Sequence, residues 1–229
     1  LYEATLELFQ AFDGPLVYTP GDNEWTDCHR ARAGGFDPLE RLAKLRTMFF
    51  ATPHSFGRAP MPVQRQSGDY VENQRWAWGG VMFATLHVVG SNDNLQRDAI
   101  AAQEHFQRTE ANLTWLRETV GQAGDAAALV LFMQANPGFE LKEAEQRSGF
   151  NELLTELSHA VAAFGRPVLL VHGDTHYFRV DKPLKDADGR TVETFTRLEV
   201  FGEKDIHGVL VTADPELPEV FSFREMLVR

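Results

Sequence analysis

The chain has 229 residues, 43% hydrophobic and 24% charged, a globular composition that argues against disorder and suits a single domain with one core. Its formal net charge of −11 argues against non-specific binding to nucleic acid or an anionic membrane, since both need a positive field. The lone cysteine, Cys28, excludes an internal disulfide and leaves the redox compartment open, and no apolar run is long enough to span a bilayer.

The opening "LYEATLELFQAF" has Leu1, Leu6, Phe9 and Phe12 near helical period. The chain thus starts inside a helical pattern, which predicts that a native N-terminal segment precedes Leu1. No signal peptide is visible, so the reading is of a soluble protein, cytoplasmic or, with a leader upstream, periplasmic or secreted. "PLVYTP" (15–20) predicts a short buried strand and "GDNEWTDCHR" a polar loop. "DPLERLAKLRTMFF" predicts a helix: Asp37 caps it, Pro38 suits its first position, and Glu40 completes a capping box. Its apolar face is Leu39, Leu42, Leu45 and Phe49.

Residues 51–70 are rich in Pro, Gly and Ser and predict a long loop. "RWAWGGVMFATLHVVG" predicts two strands around a tight Gly79–Gly80 turn, ended by "SNDN". A long helix follows over 95–120, with Ile100, Phe106, Leu113, Leu116 and Val120 roughly in phase. "AALVLFMQA" (127–135) predicts a buried strand, "GFNELLTELSHAVAAFG" an amphipathic helix ended by Gly165, and "PVLLVHGD" a further buried strand. Three short strands without intervening helices close the chain, and predict an antiparallel run. The fold class is α/β, with residues 1–229 as one domain and no repeat or linker.

Three buried strands end in residues of ligating or catalytic type. The first gives Asp22, Asn23 and Glu24, the second Gln134 and Asn136, the third His172, Asp174 and His176. Ligands of open α/β sheets bind beyond the carboxyl ends of strands, so these groups are candidates for one crevice. Singly, each has a plainer reading. Asp22 and Asn23 suit a turn, Gln134 and His176 suit hydrogen-bonded strand ends, and His172 suits the core. His29 suits a surface loop. Arg179 and Lys182 suit a solvated charged loop as well as a phosphate contact. Cys28 beside His29 lacks the opposed geometry of a nucleophile and base. "RWAW" suits hairpin packing.

Taken together, "GDNE", "LVLFMQANP" and "GDTHY" resemble, in order, motifs of the calcineurin-like metallophosphoesterases. "VYTPGDNEWTDCHR", "GGFDPLERLAKLR" and "LLVHGDTHYFRVDKPL" are similar to a divergent bacterial branch of that superfamily. The resemblance runs from about residue 15 to the end. It implies a sandwich of two mixed β-sheets flanked by helices, with earlier strands and their metal motifs upstream of Leu1. It implies Asp22, Gln134, Asp174 and His176 as metal ligands, with Gln134 and Asp174 standing where the family has histidines. Asn23 stands where the family has a catalytic His, and His172 and His29 are candidates for proton transfer.

Carboxylate and amide ligands suit Mn²⁺, Mg²⁺ or Ca²⁺ better than Zn²⁺, as one ion or two. The function implied is hydrolysis of a phosphomonoester or phosphodiester. The alternative is a degenerate member that keeps the crevice and serves as a binding or interaction protein. Asn23, Gln134 and Asp174 favour that alternative, because an amide donates no acid proton and two imidazoles are gone.

Overall fold

Uncharged apolar runs form the centre of the sheet. In the computed structural model, which describes residues 1–228, seven strands form one sheet. These are β1 (Gln64–Arg65), β2 (Gln74–Trp78), β3 (Val81–Thr85), β4 (Ala128–Phe132), β5 (Val168–His172), β6 (Arg179–Asp181) and β7 (Phe195–Glu199). The spatial order is β1-β2-β3-β4-β5-β7-β6. Strands β3, β4, β5 and β7 are parallel, while β1, β2 and β6 are antiparallel to their neighbours. Buried parallel strands read as continuous Val, Leu and Ala because both faces are covered. A second sheet is the hairpin of β8 (Gly208–Ala213) and β9 (Phe221–Met226).

Helices pack on one face and the hairpin on the other. Leu129, Leu131, Val168, Leu170 and Phe195 meet Leu113 and Leu116 of α3 (Ala99–Gln122) and Leu153, Leu157 and Val161 of α4 (Asn151–Phe164). (Here α1 is Tyr2–Ala11 and α2 is Pro38–Phe49.) On the opposite face Val81, Val130, Leu169 and Leu198 meet Val209, Val211, Phe221 and Phe223. Helix starts follow local chemistry: Asp37 accepts from Glu40 N at 2.8 Å and Asp98 from Ala101 N at 2.8 Å. Gly165, at φ 64°, ends α4. The Gly79–Gly80 turn forms as expected, with φ 56° and 76°.

The α/β class and the presence of two sheets with flanking helices are thus observed. Three expectations fail in detail. Residues 15–20 form a single bridge, Leu16 to Phe56, and join no sheet. The C-terminal strands are not one antiparallel run: β7 enters the main sheet parallel to β5, with β6 and a loop as the crossover in place of a helix. In α3, Ile100 and Phe106 are 64% and 57% exposed, while His105, Arg108, Thr109 and Asn112 are buried. That inversion has a physical cause, since the first half of α3 packs on the polar loop after β3.

Candidate functional site

The crevice is built at the carboxyl ends of β3, β4 and β5, where Asp22, Gln134 and Asp174 meet. Asp22 sits in a turn closed by Trp25 N to Asp22 O at 3.2 Å, and its Oδ1 accepts from Asn23 N at 2.9 Å. Trp25 anchors that turn as a fully buried side chain, donating from Nε1 to His87 Nε2 at 3.1 Å. Gln134 follows β4. Its Oε1 accepts from Gly90 N at 2.7 Å, which leaves Nε2 at 3.3 Å from both Asp22 Oδ1 and Asp174 Oδ1. Asp174 follows β5 in the left-handed region, φ 77°, and its Oδ2 faces Asn136 N at 3.4 Å.

Gly90 is the floor. A Cβ there would lie 2.6 Å from Asp22 Oδ2 and 2.7 Å from Asp174 Oδ1, so two carboxylate oxygens border a space that any other residue would fill. Burial, then the facing Asp174, then Asp27 push the Asp22 carboxyl up to about 6. Burial also raises Asp174, against the hydrogen bonds from Asn136 and Gln134.

Gly90 opens a loop in which Ser91, Asn92, Asp93 and Asn94 all have φ between 53° and 66°. Successive left-handed residues are costly, although Asn and Asp tolerate the region best. The buried Asp93 holds this turn in place. Its Oδ1 accepts from Val89 N at 3.0 Å and Arg108 Nη1 at 2.6 Å, and its Oδ2 lies 3.1 Å from His105 Nδ1. Asn92 ties the loop outward, its Oδ1 accepting from Gly149 N at 2.9 Å.

The remaining candidates make other contacts. His172 continues the β5 row that faces the helices; it is buried, with Nδ1 3.2 Å from Gly173 O and Nε2 unpartnered. Burial lowers its imidazole to about 4. His176, at φ 57°, lies against Gly202 with Nδ1 3.7 Å from Glu203. The Asn23 residue is exposed beside Asp22. His29 Nδ1 lies 2.6 Å from Thr26 O, inside its own turn, and Cys28 is buried against backbone carbonyls. Arg179 pairs with Glu199 and Glu140, and Lys182 with Glu193. Both cations are therefore engaged by carboxylates. Among the described residues no group of three or more His, Cys, Asp or Glu side chains is placed to hold a metal ion.

No family model, curated protein or solved structure matches the chain.

Sequence reasoning overlooked Gly90 and the Asp93 clamp. A signal was present: in "VVGSNDN" a buried apolar run ends in Gly and polar residues, the same pattern that drew attention to the other sites.

Proposed function

We propose that this crevice binds one divalent cation between Asp22 and Asp174 and serves the metal-dependent hydrolysis of a phosphate ester. The observation that supports the reading is the cradle above Gly90, bordered by one oxygen from each carboxylate. Two carboxylate oxygens suit a hard ion such as Mg²⁺, Mn²⁺ or Ca²⁺. When bound, such an ion supplies charge neutralisation of a phosphoryl oxygen and a more acidic water. Gln134 acts as an orienting donor: with Oε1 fixed by Gly90 N, its Nε2 holds both carboxylates in place. His176, turned onto Gly202, stands outside this donor set. Asn23, beside Asp22, is available to donate to a phosphoryl oxygen.

A second reading has its own support. Among the described residues no imidazole is within hydrogen-bond reach of Asp22 or Asp174, which favours binding without turnover. Calorimetry with Mn²⁺ and Mg²⁺, followed by hydrolysis of an aryl phosphate and a bis-aryl phosphate, separates the two. The primary reading expects saturable binding that Asp22→Asn and Asp174→Asn abolish, with metal-dependent turnover. Binding without turnover selects the second reading, and absence of binding overturns both.

A further inference from the structure

The face of the main sheet that carries the β8–β9 hairpin is only part-covered. Toward β2, the rings of Trp76, Phe83 and Phe132 lie stacked, with centroids 5.3 Å and 6.2 Å apart. They floor a cavity of about 640 Å³ that adjoins a second of about 620 Å³ through Trp78, Phe83 and Phe132. Isolated apolar residues on a surface are ordinary, whereas a contiguous stacked aromatic floor beneath two adjoining cavities is a candidate binding surface.

Both long sides of the groove are unpaired extended backbone. On one side is β8, which among the described residues pairs with β9 alone. Residues of β8 line the second cavity, whereas Phe221 and Phe223 of β9 lie beside Asp181 and Thr194 at the far side. The free edge of β8 therefore faces the groove. On the other side run Val17, Tyr18 and Thr19. Their backbone N–H and C=O groups have no protein partner among the described residues, and the Thr19 hydroxyl is buried without one. Proteins guard bare strand edges with charge, Pro or bulges. The β8 segment Gly208–Ala213 carries no charged residue and no Pro.

We propose that this groove receives an extended strand of a separate partner polypeptide, paired along the free edge of β8 with alternate side chains on Trp76, Phe83 and Phe132. Main-chain pairing supplies affinity in this mode, and the floor selects every second side chain. The strand is apolar at those positions and neutral or basic elsewhere, because the chain carries a formal charge of −11. A second folded copy does not suit the groove. Each β8 overhangs its own sheet, so pairing β8 with β8 would drive two seven-stranded sheets into one space. A free acyl or aryl chain would cover the floor but leave both edges unpaired. The inference is independent of the cation site.

The test titrates the full chain with a short synthetic peptide of alternating Val and Thr bearing a Lys at each end. Tryptophan emission and amide exchange of β8 are followed, with Trp76→Phe to assign the emission. The expected result is a blue shift assigned to Trp76 and slower exchange across Val209–Ala213. Both responses are lost when alternate peptide nitrogens are methylated, which keeps the side chains and removes the donors. An equal response to the methylated peptide or to decanol overturns strand pairing in favour of simple apolar binding. No response up to the solubility of the peptide overturns it outright. Concentration-dependent dimerisation that protects β8 without peptide overturns it in favour of a second copy.

Discussion

Two carboxylate clusters, one buried and one part-buried, lie within a few residues of each other and have opposite electrostatics. Beneath the loop after β3, Glu72 is fully buried with Arg46 Nη2 at 2.6 Å and His87 Nδ1 at 2.7 Å. Trp25 can only donate, so His87 Nε2 accepts from it and Nδ1 carries the hydrogen toward Glu72. Burial opposes ionisation of Glu72, but the hydrogen bond from His87 and the Arg46 guanidinium outweigh it and hold the carboxyl down at about 2. Asp93 is likewise lowered against its burial by Arg108 and His105. In the crevice above, Asp22 and Asp174 face each other with an amide between them, and both are raised. The first cluster has its counter-charges built in and is structural. The second has no cation within hydrogen-bond reach among the described residues, which is the condition that a bound cation would relieve.

The largest expected effect comes from breaking the satisfied cluster. Arg108 is fully buried and donates to Asp93, to Glu104 and to the carbonyls of His87 and Asp93. Arg108→Met keeps the volume but leaves Asp93 buried without its guanidinium, a change that costs about 3–5 kcal/mol. Urea unfolding is expected to read that loss, with faster amide exchange through residues 90–94. A cost below about 1 kcal/mol, the surface-pair range, would contradict the clamp.

Next comes pH. Because the folded carboxyl of Glu72 sits below its ordinary 4.5, its contribution is fully present above that value. It is lost as pH falls from about 4.5 toward about 2. The scale is about 3 kcal/mol, and Asp93 adds in the same direction. Glu72→Gln should flatten that acid limb of the stability curve while lowering stability at neutral pH. An unchanged acid limb would remove Glu72 from the account.

Smaller effects separate the upper cluster from the lower. At neutral pH without divalent cations, Asp22→Asn removes one of two facing like charges and should stabilise by about 1 kcal/mol, after screening by solvent. The same variant should lose any rise in Tm on adding Mn²⁺, since only the folded cradle binds the ion. Gly90→Ala drives a Cβ into both carboxylates. It should cost about 1–3 kcal/mol from overpacking and also abolish the Mn²⁺ response. A variant pair in which both mutants keep the wild-type Mn²⁺ shift would show that the facing carboxylates hold no cation.

How much of this was legible depends on the physics of each element. The strands β3, β4 and β5 and the helices α2 and α4 follow from periodicity, caps and turn glycines, because those signals act over a few residues. The convergence of Asp22, Gln134 and Asp174 was legible as three apolar runs with polar termini, although the first of them, 15–20, joins no sheet. Gly90 was not, since its role is to be absent from a space that two distant carboxylates border. The idle edge at Val17–Thr19 was also hidden. An apolar run bounded by prolines reads as a strand whether or not a neighbour is there to pair with it.

The smallest expected effect probes where the helical pattern misled. Apolar period alone assigns Ile100 and Phe106 to the core, yet both are exposed, because Asp93 and Glu104 recruit Arg108 and turn the polar stripe of α3 inward. Ile100→Gln then exchanges one solvent-facing side chain for another and should change stability by no more than about 0.5 kcal/mol. Thr109→Val, about two and a half turns further along α3 and inward, replaces a buried hydroxyl that has no partner. It should be neutral or stabilising by up to about 1 kcal/mol, since the desolvation of an unpaired hydroxyl is relieved. Equilibrium urea titrations of the two variants check the orientation of α3. A loss of more than about 2 kcal/mol at Ile100 would put the apolar stripe back in the core, and the polar clamp would then have to be reassigned.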